Sequence, residues 1–348
     1  MKRRFVSILK YLVFLLLGIF LLWLVFRKVA LQEVIYQFSH ANYWWVLASI
    51  AFGILSHVAR AIRWNLLINS MGYKTRLDST FYAVMTGYFM NIAVPRLGEI
   101  TRCGVLSKKD KIPINALFGS VVAERVFDLI TLVFIIFLVI VFQLKLVGNF
   151  VEEHIFTPLY LRFSNNLGVI LIIIFGLLFL LVLAIVLFRI FLPRLKHRPF
   201  MIKLNEFVKG FMEGLKTIQR LPNKAAFIFW TLFIWLMYTT MTFVAFYALA
   251  ATSELKFIDG LTVMAIGSLG MVAPVPGGIG AYHFFITLVL FELYNIPQAA
   301  AASWATIAHA SQGILILAFG SFSYFMILLQ IRKKNHGISR NHKSKDPE

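Results

Sequence analysis

Apolar runs of roughly bilayer length recur along the chain, separated by short polar clusters. Residues 7–26 predict a first transmembrane helix. Residues 43–59 predict a second, opened by Tyr43, Trp44 and Trp45, the composition of an interfacial aromatic belt, and closed by Arg60 and Arg63. The next run, 79–94, is short and stops at Pro95. A long span follows over 114–142, with Glu124, Arg125 and Asp128 in its first turns, and further spans are predicted over 167–188 and 225–250. Residues 259–273 and 281–293 flank a break. The last run, 297–331, exceeds one bilayer thickness, so it must tilt, protrude or break, with Gly313 the candidate break point.

The break between 273 and 281 organises the rest. Pro274, Pro276, Gly277, Gly278 and Gly280 fall within seven residues, followed by His283. Proline removes backbone donors and glycine loosens the chain, so no helix continues through them. In lipid, such a backbone survives only where protein or a water-filled cavity covers it. A weaker copy lies upstream: residues 91–102 align with 270–281 at a constant offset, matching Pro95 to Pro274, Gly98 to Gly277 and Ile100 to Ile279. Interrupted apolar segments at corresponding places in two halves point to a transporter-type site, although two similar loops would look the same.

Composition sets the class. Of 348 residues, 60% are hydrophobic and 14% charged, well below the share of about 25% charged residues in soluble domains. The mean hydropathy is +0.81. The formal net charge is +19, which in a soluble chain would suggest nucleic acid. In a membrane chain it reflects the positive-inside rule, with anionic headgroups as partners and no nucleic acid implied. The single cysteine, Cys103, excludes an intramolecular disulfide and a cysteine-cluster metal site. Lys2, Arg3 and Arg4 before an apolar run look like a signal peptide. However, the run is long and Arg27 follows with no small-residue cleavage site, so a retained helix is expected.

Charge also suggests an orientation. With a cytoplasmic N-terminus and both broken segments re-entrant, 28 of the 34 Lys and Arg residues fall on the cytoplasmic side and 5 outside. The expectation is an all-α polytopic protein of the cytoplasmic membrane, with about six full spans plus two re-entrant hairpins and both termini inside. Each half then reads span, span, hairpin, span in opposite orientation, an inverted-topology repeat with halves near 1–150 and 160–331. One membrane domain covers 1–331 and a basic tail 332–348. Within 189–224, Met201, Leu204, Val208, Phe211, Leu215 and Ile218 form a helical stripe decorated by lysines. This is either an interfacial helix on anionic lipid or a basic linker beneath the bundle.

Candidate chemistry centres on Arg96, Glu99, Arg102, Glu124, Arg125 and Asp128, at or near membrane depth. Ionisable groups there cost about 2.5–3.5 kcal/mol each on insertion scales, so they face inward and pair. They read either as an arginine-lined phosphate pocket, with Arg102 and Arg125 gripping the phosphate, or as a salt-bridge network that fixes helix packing. The returning half-helices near Gly98 and Gly280 would add donor-rich N-termini. His283, Glu292, His309 and Gln312 read as a proton relay or as interhelical hydrogen bonds, and Asn91 belongs with the latter. Gly267 and Gly270 suit close packing. No HExxH, GxSxG, Walker or GxGxxG motif occurs, so neither a metal, a cofactor nor a catalytic residue is implied.

Four stretches together resemble the lysylphosphatidylglycerol synthase transmembrane-region, or flippase-like, family: residues 60–67, 91–102, 124–128 and 274–283. The resemblance covers nearly the whole chain and implies movement of a lipid, or of a lipid-linked anionic molecule, between leaflets. The soluble aminoacyl transferase domain of the full-length synthases has no counterpart here, since 17 residues follow Ile331. Synthase activity is therefore not implied. A membrane transferase acting on a lipid headgroup, or a non-catalytic partner of a separate lipid-modifying enzyme, are the alternatives.

The orientation predicts a labelling pattern. In a Cys103→Ser background, a cysteine at Asn166 should react with an impermeant thiol reagent in intact cells. Cysteines at Lys216 and Asn341 should not, and labelling at Lys216 would reverse the topology.

Overall fold

The computed structural model describes residues 2–27, 29–95, 97–152, 221–273 and 275–343, together with 157, 175, 176, 178, 179 and 183. Among the described residues there are eleven α-helices and no strand, the fold of an all-α polytopic membrane protein. We number them α1 (Lys2–Phe26), α2 (Leu31–Ser39), α3 (Tyr43–Ser70), α4 (Leu77–Ala93), α5 (Leu97–Asp110), α6 (Ile114–Phe142), α7 (Leu144–Val151), α8 (Lys224–Phe246), α9 (Phe257–Val272), α10 (Ala281–Leu288) and α11 (Gln298–Lys343). Five stretches are long and apolar enough to cross a membrane, or six if α1 and α2, bent by 88°, count as one. Arg96, Pro274 and nearly all of the expected span 167–188 and basic segment 189–224 lie outside the described residues.

Both proline–glycine breaks form helical hairpins. α4 ends at Ala93, and α5 starts at Leu97 and runs back along it. Thr75 bonds Asp110, Lys109 bonds Ser79, and Gly87 lies against Gly98. The second hairpin turns through the short helical turn Pro276–Gly278, with Gly277, Gly278 and Gly280 at φ of 58°, 72° and 90°. These left-handed values strain any residue with a Cβ, which explains the glycines. Its returning arm packs Tyr282 and Ile286 against Gly267 of α9. That arm, Pro276–Leu293, is by itself long enough to cross, so it is longer than the half-helix expected.

Three boundaries differ from the sequence expectation. α3 continues to Ser70 instead of closing at Arg60, so both arginines sit in mid-helix, where carboxylates of α6 neutralise them. α11 is one helix of 46 residues, unbroken at Gly313, and the expected separate tail continues it to Lys343. α2 was not anticipated as a helix; it packs on α11.

The helices pack in a reciprocal pattern. α3 lies along α8, and each is capped by an asparagine: Asn42 accepts from the Trp44 amide, and Asn223 from that of Ala226. α6, which follows the first hairpin, packs on α9 of the second. α11, which follows the second hairpin, packs on α4 of the first. α1 crosses the second hairpin where Gly18 meets Val275 and Ile279. Outward faces are apolar and bare, as on α6 at Val133, Phe134 and Phe137, and Trp44 at the start of α3 is 80% exposed.

A Cβ on Gly98 would run into the Gly87 carbonyl oxygen and the Asn91 side chain. Backbone cannot yield as a side chain can, and overpacking typically costs about 1–3 kcal/mol. Gly98→Ala should therefore lower the melting temperature in detergent, whereas Gly104→Ala, inside α5 with open space around it, should leave it equal or higher.

Candidate functional site

Four helices meet at a buried ionic cluster. Arg60 and Arg63 lie one turn apart on α3, and Glu124 and Asp128 one turn apart on α6. Arg60 Nη1 donates to Glu124 Oε1 at 2.6 Å and to Asp128 Oδ2 at 2.8 Å. Arg63 Nη2 donates to Asp128 Oδ1 at 2.7 Å and lies 3.4 Å from Glu124 Oε1. α8 completes the cage: Arg60 Nη2 donates to the Tyr238 hydroxyl at 3.1 Å, and Arg63 Nη1 to Thr231 Oγ1 at 3.2 Å. Arg60 is 4% exposed, and Arg63 and Glu124 are fully buried.

Arg102 enters from α5. Its guanidinium lies over the Trp64 ring, 4.7 Å from the centroid, with Nη2 3.3 Å from Glu124 Oε2. That approach lacks hydrogen-bond geometry, so Arg102 Nε and Nη2 have no hydrogen-bond acceptor, and neither have Arg60 Nε and Arg63 Nε. One turn before Arg60, His57 stacks on Tyr88 of α4 at 4.9 Å, with both ring nitrogens unbonded. Three guanidiniums thus face two carboxylates, leaving one net positive charge and several buried donors without acceptors, beside one carboxylate oxygen, Glu124 Oε2, that accepts no hydrogen bond. Buried charge is costly without a partner, and a planar fork of donors matches phosphate or carboxylate oxygens. The arrangement suits an anion.

The expected residues separate into groups. Arg102, Glu124 and Asp128 join the cluster. Arg125 does not: one residue after Glu124 it points about 100° round the helix, is 44% exposed at its side chain, and pairs with Glu99 at 2.9 Å. Arg102 and Arg125 therefore do not form the paired grip expected of them. Asn91 also changes the picture at the first hairpin tip. Its Oδ1 accepts the Gly98 amide at 2.7 Å, so an internal side chain already takes the donor at the start of α5. At the second tip, Pro276 and Gly278 are buried, and His283 and His309 stand together, with ring centroids 4.8 Å apart. Gln312 lies one turn beyond His309, against Gly53 of α3.

Sequence reasoning missed Arg60 and Arg63 as site residues. The available signal was the apolar run that continues past them through Ala61, Ile62, Trp64, Leu66, Leu67 and Ile68, which argues for one longer helix.

Helical hairpins set among apolar spans, around a buried ionic cluster, define a polytopic integral membrane protein. Residues 7–320 match the family described as the lysylphosphatidylglycerol synthase TM region, and the chain belongs to that family. It is similar to the UPF0104 membrane protein MJ1595 of Methanocaldococcus jannaschii, 24% identical over 94% of this chain and 98% of that protein. It is also similar to the glycosyltransferase AglD of Haloferax volcanii, 25% identical over 88% of this chain but only 52% of that longer protein. The UPF0104 membrane protein PH1989 of Pyrococcus horikoshii is 22% identical over 84% of this chain and 90% of its own length. No solved structure matches.

The cluster predicts unequal costs. Arg63→Ala removes the guanidinium bonded to Asp128 Oδ1, leaves that buried oxygen without its donor and should destabilise by about 3–5 kcal/mol. Arg125→Ala breaks a partly exposed pair and should cost about 1 kcal/mol or less. Melting temperatures of the two purified variants check the contrast.

Proposed function

We propose that this chain moves an anionic lipid, or a lipid-linked anionic molecule, between the leaflets of the cytoplasmic membrane, with both termini cytoplasmic. The carrying observation is the buried cluster of three arginines against two carboxylates, with Arg102 presenting free donors. Reciprocal packing of the two hairpins supports two halves of inverted topology, around which access can alternate. Membership of the lysylphosphatidylglycerol synthase TM-region family, named for an enzyme of lipid modification, agrees with a lipid substrate.

The likeness to AglD favours one other reading. There the matching part belongs to a longer glycosyltransferase, so this chain would serve as the membrane partner of a separate lipid-modifying enzyme. A transferase activity of its own is less well supported. Glu124 and Asp128, the obvious acid–base candidates, are held by arginines and are poorly placed to exchange protons with a substrate.

In liposomes without nucleotide, the purified protein should speed transbilayer movement of fluorescent phosphatidylglycerol. Arg102→Lys keeps the charge but not the fork; losing one charge-assisted hydrogen bond of about 1.5–3 kcal/mol should weaken lipid retention roughly 10- to 150-fold. Movement no faster than in empty liposomes, across a panel of lipids and with an imposed ion gradient, would favour the partner reading. Normal retention by Arg102→Lys with a lowered melting temperature would make the cluster purely structural.

A further inference from the structure

We infer that His283 and His309 form a proton-binding site at the tip of the second hairpin, and that proton uptake there releases the tip. The lipid arm of this inference rests on the translocation reading; the proton site itself does not.

The hydrogen bonds place the protons. His309, on α11, reaches the tip with Nε2 2.9 Å from the Gly277 carbonyl oxygen. A carbonyl only accepts, so Nε2 carries the hydrogen and Nδ1 is the basic nitrogen. His283, in the first turn of α10, lies with Nδ1 3.4 Å from the Gly280 amide. An amide only donates, so His283 Nδ1 is the acceptor and its hydrogen sits on Nε2. The rings meet edge to face at 4.8 Å, and Tyr282 lies 5.1 Å from His309. A proton arriving at His283 Nδ1 removes the acceptor of the Gly280 amide. One arriving at His309 Nδ1 sets a cation beside the other ring. The first uncaps the tip's own backbone; the second leaves the Nε2–H bond to Gly277 in place but buries a cation that the closed tip must hold.

Among the described residues, no carboxylate is bonded to either ring to compensate that charge. Residues 12–26 of α1 hold no titratable side chain. α9 holds only Asp259, in its first turn and bonded to Gln143. α4 holds Asp78, bonded to Ser79 at the far end, with Tyr82 and Tyr88. On α3, which meets α11 where Gly53 faces Gln312, the nearest titratable group is His57, followed by Arg60 and Arg63. On the returning arm, Glu292 lies two turns beyond His283, and on α11 Tyr324 lies four turns beyond His309. A proton here is thus uncompensated while the tip is closed, and is better accommodated when the tip opens to water.

The tip can respond. Gly277, Gly278 and Gly280 all have positive φ, so backbone rotation meets no Cβ. The tip presses on Gly18 of α1 and on α4, and α4 carries the Tyr88 that stacks on His57 beside the arginine cluster. A chain without a nucleotide motif needs another energy source for directed transport; a proton taken up at this tip from one side of the membrane and released to the other, down its gradient, would supply it.

Two non-titrating replacements preserve the hydrogen bonds. His309→Gln keeps a donor near the Nε2 position, and His283→Asn keeps an acceptor near Nδ1. The first measurement is melting temperature against pH in detergent, which requires no transport. Between pH 8 and pH 5 the unaltered protein should lose more thermal stability than the double variant, because protonation opposes the closed tip. The second is movement of fluorescent phosphatidylglycerol in liposomes at imposed pH. The rate should change about ten-fold across that range in the unaltered protein and less than about two-fold in the variant. Coincident melting profiles would overturn the proton site whatever the lipid does. Distinct melting profiles with no lipid movement in either protein would leave the site standing and remove the translocation reading.

Discussion

Charge in a low-dielectric interior is the constraint on which this structure turns. Each arginine of α3 is tolerable only because α6 brings a carboxylate to it, and each carboxylate only because α3 and α5 bring guanidiniums. The pairing sets the register of α3 against α6 more sharply than apolar contact could, since sliding by one residue would strand several charges at once. Tyr238 and Thr231 bring α8 into the same register. Arg102, on the hairpin arm α5, is held to the cluster more loosely, through an aromatic ring and an ion pair without hydrogen-bond geometry.

Much of this was legible from local pattern. The apolar runs gave the spans, the aromatic triplet marked the start of α3, and the proline–glycine clusters marked both hairpin tips. What escaped depended on distant partners. Two arginines after a largely apolar run of seventeen residues look like the cytoplasmic stop of a span, and nothing nearby says that carboxylates some sixty residues on will neutralise them. Arg125 is a different failure. The helical period alone separates it from Glu124, yet charge type grouped it with Arg102. The continuity of α11 past Gly313 was open because that glycine meets no neighbour within 4 Å, so packing does not require a break there.

The two halves share a packing scheme but not a chemistry. The first hairpin supplies Arg102 to the charged cluster, while the second presents a turn of glycines and His283, which meets His309 of α11. Reciprocal packing of the two hairpins is thus compatible with different work at each tip. Gly18 against the second tip and Gly87 against Gly98 show a common device, in which backbones approach closely where side chains are absent.

α11 has one more consequence. At 46 residues it is about 69 Å long, more than twice the hydrocarbon thickness, and it touches α4 of one hairpin and α10 of the other. A strut shared by both hairpins ties them together: a displacement of one would load the other mechanically.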